Sequence, residues 1–165
     1  YEQLGIEPDA FTLAKGLGGG HAIGALLVKE SANIFELGDH ASTFGGNPFA
    51  CKAALTVAKE IENAKLLENV NFRGKQIRLG LRQIVNDYPN HFNEVRGVGL
   101  MQGLVIKEGS HLNSQIITKK TIEEGLLTIG AGPKVIRIVP PLIIKEKEVN
   151  QLLIRLKKSI KGLIC

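Results

Sequence analysis

The sequence predicts an α/β chain: the tail of a large mixed-sheet domain, a long connecting helix, then a small α+β domain. Apolar runs at Phe11–Ala14 and Ile23–Val28 flank a cluster of glycines, as buried strands around a turn would. Leu67, Val70, Gly74, Ile77, Leu81, Ile84 and Tyr88 step by three and four residues, which is the seam of one long helix. After Pro89-Asn90 the pattern changes to short strands interleaved with helices. The expected limits are 1–64 for the first part, 65–90 for the long helix and 91–165 for the last.

Each element has its own warrant. The run Ile23–Val28 is nearly all apolar, as in a strand covered on both faces. Ser31–Leu37 reads as a short helix that Ser31 can cap. Asn47-Pro48 opens a further helix, with Asn as N-cap and Pro in the first turn, running to about Ile61 on a stripe of Ala50, Ala54, Val57, Ala58 and Ile61. Gly74 interrupts the long seam. Val95–Leu100 and Leu104–Ile106 read as strands joined tightly near Gly103, Ser114–Glu124 as a helix, and Leu126–Ile129 and Val135–Val139 as strands. Pro140-Pro141 breaks the last strand. A helix from Glu146 to Ile160 closes the chain on Val149, Leu152, Leu153, Leu156 and Ile160.

Composition excludes several classes. The chain has 165 residues, 44% apolar and 22% charged, with a net charge of +5, which fits a protein with a core and a wet surface. No apolar run is long enough to cross a bilayer, so no membrane partner is expected. With two Tyr and no Trp there is no interleaving of basic and aromatic residues, and no nucleic-acid partner is expected. Cys51 and Cys165 lack metal-ligand spacing, and a reduced, cytoplasmic location is the simplest expectation. Cys51 reads as a small buried apolar residue of its helix. The sole methionine is Met101, so the chain is expected either to be processed or to be part of a longer protein.

Three places can carry chemistry. Lys15 ends an apolar run and is followed by Gly16, Gly18, Gly19 and Gly20. A lysine amine at such a strand end can form an imine with a carbonyl. The cluster is no phosphate-binding nucleotide loop, because His21 stands where G-x-G-x-x-G needs its last glycine. On the residues alone a surface turn with a solvated lysine is an equal reading. Ser42-Thr43 beside Gly45-Gly46, just ahead of a helix N-terminus, can hold a phosphate with hydroxyls and unhindered amides; an ordinary capping loop is the alternative. Arg137, within Val135–Val139, shares a strand face with Val135 and Val139, and its guanidinium can clamp a carboxylate bidentately or reach solvent from an edge. Arg96 reads as structural, holding a bend between sheet and helix. The four His are scattered and read as ordinary polar positions.

Taken in order, these segments resemble one family. Pro8–Gly20 with Ile23-Gly24-Ala25 is similar to the cofactor-lysine motif of class III, pyridoxal-phosphate-dependent aminotransferases. Ser42–Pro48 with Ala50-Cys51 resembles the family's phosphate loop. Arg96-Gly97-x-Gly99-Leu100-Met101 and Arg137-x-x-Pro140-Pro141-Leu142 resemble motifs of its C-terminal domain. Ala22 departs from the pattern, since many members have proline there. The resemblance implies the C-terminal part of a fold-type I transferase with pyridoxal 5'-phosphate as cofactor and small amino acids and 2-oxo acids as substrates. It also implies a homodimer with the site at the subunit interface. Lys15 would carry the cofactor and move the proton, Ser42 and Thr43 would bind its phosphate, and Arg137 would grip the substrate α-carboxylate. Within the class, the motifs look most like those of enzymes acting on ornithine and its N-acyl derivatives. 4-Aminobutyrate aminotransferases and aminomutases of the same fold are near relatives, and a non-catalytic interaction module is the reading from another class.

Family members are more than twice as long. The missing part would hold the aspartate at the pyridine nitrogen, the aromatic stacked on the ring and a Gly-rich turn at the phosphate. Asp9 lies too close to Lys15 to be that aspartate. The expectation is therefore a fragment that does not transaminate at a useful rate alone, and that exposes sheet edges.

Overall fold

A computed structural model describes residues 1–164, which cluster into two compact units, Tyr1–Ala64 and Lys65 onward. In the first unit, β1 (Ala10–Leu13) and β2 (Ala25–Val28) form an antiparallel ribbon with Phe11 opposite Leu27. The expected cover on both faces is absent from this unit: Leu26 and Leu27 are 51% and 41% exposed. A two-stranded ribbon has no third strand or helix layer of its own to bury them.

The segment expected as a helix over Ser31–Leu37 is one 3-10 turn, Glu30–Ala32, followed by irregular chain. Local side chains compete with helix there. Asn33 Oδ1 accepts from the Phe35 amide at 3.2 Å and Asp39 Oδ2 from the Glu36 amide at 2.7 Å. α1 (Pro48–Asn63) begins where the sequence places it, with Asn47 Oδ1 accepting from the Ala50 amide at 2.9 Å and Pro48 in the first turn. Its stripe is only half covered: Ala50 is buried, Ala54, Val57 and Ile61 are intermediate, and Ala58 is exposed. Cys51 lies on the exposed side, contrary to expectation.

The second unit has a fuller core. α2 (Leu66–Asp87) buries Leu66, Gly74, Ile77, Leu81 and Ile84. β3 (Phe92–Val98), β4 (Met101–Ile106), β5 (Ile129–Gly130) and β6 (Val135–Ile138) form one antiparallel sheet in the order β3-β4-β6-β5. The β3–β4 turn falls at Gly99-Leu100, not near Gly103, which sits inside β4 opposite Arg96. β5 is shorter than expected because Leu126 is drawn back to close the preceding helix, its amide donating to the Thr121 carbonyl at 2.8 Å.

α3 (Ser114–Glu123) starts on Asn113, whose Oδ1 accepts from the Ile116 amide at 2.9 Å. α4 (Glu146–Ile164) runs one turn beyond the expected end. One sheet face packs Leu104, Ile106, Ile136 and Ile138 against Ile77, Leu81 and Ile84 of α2 and Val149, Leu156 and Ile160 of α4. The opposite face carries Val98, Arg96, Arg137 and Ile129, all exposed. Among the described residues no helix is long and apolar enough to cross a membrane.

Candidate functional site

Lys15 stands two residues after the end of β1, past Ala14, and takes φ 52°, in the left-handed region that a side chain disfavours. Such a conformation costs about 1–2 kcal/mol for a residue with a Cβ. Tight turns impose it: the amides of Leu17, Gly19 and His21 each donate to the carbonyl three residues earlier, at 3.1 Å. The glycines fit this path. A Cβ on Gly18 would stand 2.8 Å from Ile23 Cγ2, and one on Gly19, whose φ is +62°, 2.9 Å from Val57 Cγ2 of α1. His21 packs edge-on against Phe49 at the start of α1, with ring centroids 4.8 Å apart. Among the described residues, the exposed Lys15 amine has no ion-pair partner within 4.0 Å. The left-handed backbone at Lys15 is strain that the surrounding turns hold in place.

The Ser42–Gly46 loop leads into the same helix. Ser42 Oγ accepts from the Gly45 amide at 3.0 Å, so that amide, expected to be open to an anion, is already bonded. The Ser42 hydroxyl proton stays available to an acceptor. Asn47 Nδ2 donates to the Phe44 carbonyl at 2.9 Å, which closes the loop onto α1. Thr43 is exposed, and no described hydrogen bond joins Ser42 or Thr43 to Lys15. Asp9 faces Lys29, with Oδ1 3.8 Å from Nζ.

Arg137 belongs to the second unit. It stands on β6, paired with Gly103 of β4 on one side and Ile129 of β5 on the other. Its face-mate Val135 is 8% exposed, while Arg137 itself is exposed. The structure reassigns Arg96. The bend after β3 is held by Arg78, which donates to the Gly97 carbonyl, and by Gln102, whose Nε2 donates to the Gly99 carbonyl at 2.6 Å. Arg96 instead shares the open face with Arg137, a placement visible only from the strand register. Of the histidines, His91 and His111 meet edge-on at 5.1 Å, and among the described residues no cluster could hold a metal ion.

The first unit thus presents a lysine on a glycine turn and a hydroxyl loop at a helix start, and the second an arginine on an exposed sheet face. The Aminotransferase class-III family matches residues 1–160, and the chain belongs to that family. It is 66% identical over 163 residues to the acetylornithine aminotransferase of Prochlorococcus marinus, covering 99% of this chain and 39% of that protein. The acetylornithine aminotransferase of a Synechocystis species is 54% identical, with 99% and 38% covered. Among solved structures, N-acetylornithine aminotransferase from Stenotrophomonas maltophilia superposes with a TM-score of 0.85 at 36% identity, covering 99% of this chain and 42% of that one. Ornithine δ-aminotransferase from Plasmodium falciparum gives 0.89 at 31% identity, covering 98% and 42%. The chain thus spans about two fifths of the length of these relatives. The mixed α/β architecture is that of the C-terminal portion of these transferases.

Proposed function

We propose that this chain is the C-terminal portion of a pyridoxal-phosphate-dependent aminotransferase that moves an amino group from N-acetylornithine to 2-oxoglutarate, giving N-acetylglutamate semialdehyde and glutamate. The observation that carries the reading is Lys15, held at φ 52° on a glycine turn in a chain of the class III family. The residues present fit the cofactor: an unpartnered amine suits its aldehyde, and two hydroxyls at a helix-start loop suit its phosphate. The bound cofactor supplies the electron sink that makes the substrate's α-proton removable. Lys15 holds the cofactor through its amine and moves the proton at the α-carbon. Ser42 and Thr43 donate to phosphate oxygens. Arg137 grips the substrate carboxylate with a planar fork of donors.

The longer enzyme is a cytoplasmic homodimer in this reading, with the Ser42–Thr43 loop serving the partner's site. The exposed ribbon residues Leu26 and Leu27 support a missing layer that the rest of the enzyme provides. The choice of N-acetylornithine follows the names of relatives 49–66% identical to this chain. Relative turnover of N-acetylornithine, ornithine and 4-aminobutyrate by the full-length enzyme tests it. Preference for N-acetylornithine supports the reading, and preference for either other donor overturns the substrate assignment. The 165-residue chain alone does not transaminate in this reading, and full activity from it would refute that part.

A further inference from the structure

Arg96 and Arg137 lie on one row of the open sheet face. Arg96 pairs with Gly103, and Gly103 pairs with Arg137, so the two arginines flank a glycine on the strand between them. Strands about 4.8 Å apart put their backbones about 10 Å from each other, within reach of two long side chains. Gly103 is itself buried, under Val135 and the stem of Arg96. A Cβ there would stand 3.1 Å from Val135 Cγ1 and 3.6 Å from Arg96 Cγ. Neither guanidinium has a carboxylate within 4.0 Å among the described residues, although Glu94 shares the face two residues before Arg96. Exposed Val98, Met101, Ile129 and Val139 border the pair with apolar surface. Two exposed cations on one sheet face repel each other, and an anion between them relieves that.

We infer that Arg96 is a second carboxylate-binding residue, sharing with Arg137 the carboxylate of the amino-acid and oxo-acid substrates above Gly103. The inference rests on the reading of Arg137 given above. Two forks approaching from opposite sides can each donate to one carboxylate oxygen, which fixes its plane as well as its position. A side chain at position 103 would crowd Val135 and the stem of Arg96, so glycine there lets Arg96 lie across β4.

The test uses the cofactor-loaded full-length enzyme with Arg96→Gln, Arg96→Lys and Arg137→Gln. KM is measured for N-acetylornithine and for 1-aminobutane, which has no carboxylate, and glutarate binding is measured by calorimetry with and without cofactor. Loss of one charge-assisted contact weakens binding about tenfold. Arg96→Gln is expected to raise KM for N-acetylornithine and the Kd for glutarate by about that factor, and to change KM for 1-aminobutane less than about twofold. Arg96→Lys keeps the charge without the fork and should recover part of the loss. Unchanged glutarate binding in Arg96→Gln, or equal losses with both amines, overturns the inference. If Arg137→Gln alone shows the selective loss, the reading of Arg137 stands and that of Arg96 falls; the reverse pattern removes Arg137 and with it the shared carboxylate site.

Discussion

Gly74 of α2 lies against the backbone of Gly99: a Cβ on Gly74 would come 2.4 Å from the Gly99 carbonyl oxygen. In an isolated helix, alanine is favoured over glycine by about 1 kcal/mol. Here the contact reverses the sign, because backbone on both sides cannot yield as a flexible side chain can. Gly74→Ala is predicted to destabilise the second unit by about 1–3 kcal/mol, the usual cost of overpacking. A lower urea midpoint of the chain checks it, and a raised midpoint would place the helix farther from the β3–β4 turn.

Lys15 offers the opposite case. Its left-handed backbone is strained for lysine and natural for glycine. Lys15→Gly is predicted to leave the full-length apoenzyme as stable in thermal melting or more stable, by up to about 1 kcal/mol of relieved strain, while abolishing transamination. A variant that loses activity only because it unfolds would contradict the placement of Lys15.

Asp87, the last residue of α2, meets Lys157 of α4 at 2.5 Å. The hydrogen bond from Lys157, then that from Gln83, holds the Asp87 carboxyl below its ordinary value of 3.8. The same bond raises Lys157 above 10.5. The signs follow from linkage. A lowered carboxyl stabilises the fold above its unfolded value and loses that contribution as pH falls through its folded value. A raised lysine stabilises below its unfolded value and loses the contribution as pH rises through its folded one. The difference in denaturation midpoint between wild type and Asp87→Asn is therefore predicted to be level from pH 3.8 to 10.5 and to shrink on either side. A difference that grows in acid would refute the pairing.

Asn47→Ala removes the side chain that caps α1 at the Ala50 amide. The loss is predicted to cost about 1 kcal/mol and to weaken binding of inorganic phosphate to the cofactor-free full-length enzyme, since the Ser42–Gly46 loop is tied to α1 through the same residue. Asn47→Asp, which caps as well, should restore stability.

What the sequence showed best was what is local. The start of α1 rests on Asn47-Pro48, and the long seam of α2 on its own spacing, so both were readable from neighbouring residues. Contacts between distant positions were not. Gly74 looked like a break in the seam because its partner, Gly99, lies in another element. Gly103 looked like a turn, but the turn glycine is Gly99, at φ +53°. Arg96 seemed to hold a bend that Arg78 holds, because the register placing Arg96 beside Gly103 depends on strand pairing. The short helix at Ser31–Leu37 failed for a local reason: Asn33 and Asp39 bond the backbone that a helix would need. Lys15, Ser42, Thr43 and Arg137 were singled out by residue type and neighbours, and the left-handed backbone at Lys15 is what the sequence did not announce.

The central claim is that Lys15 carries the cofactor. Borohydride reduction of the cofactor-loaded full-length enzyme, followed by mass spectrometry of its peptides, tests it most directly. The account predicts a pyridoxyl group on the peptide bearing Lys15 and nowhere else; a modified lysine at another position, with Lys15 unmodified, would contradict it.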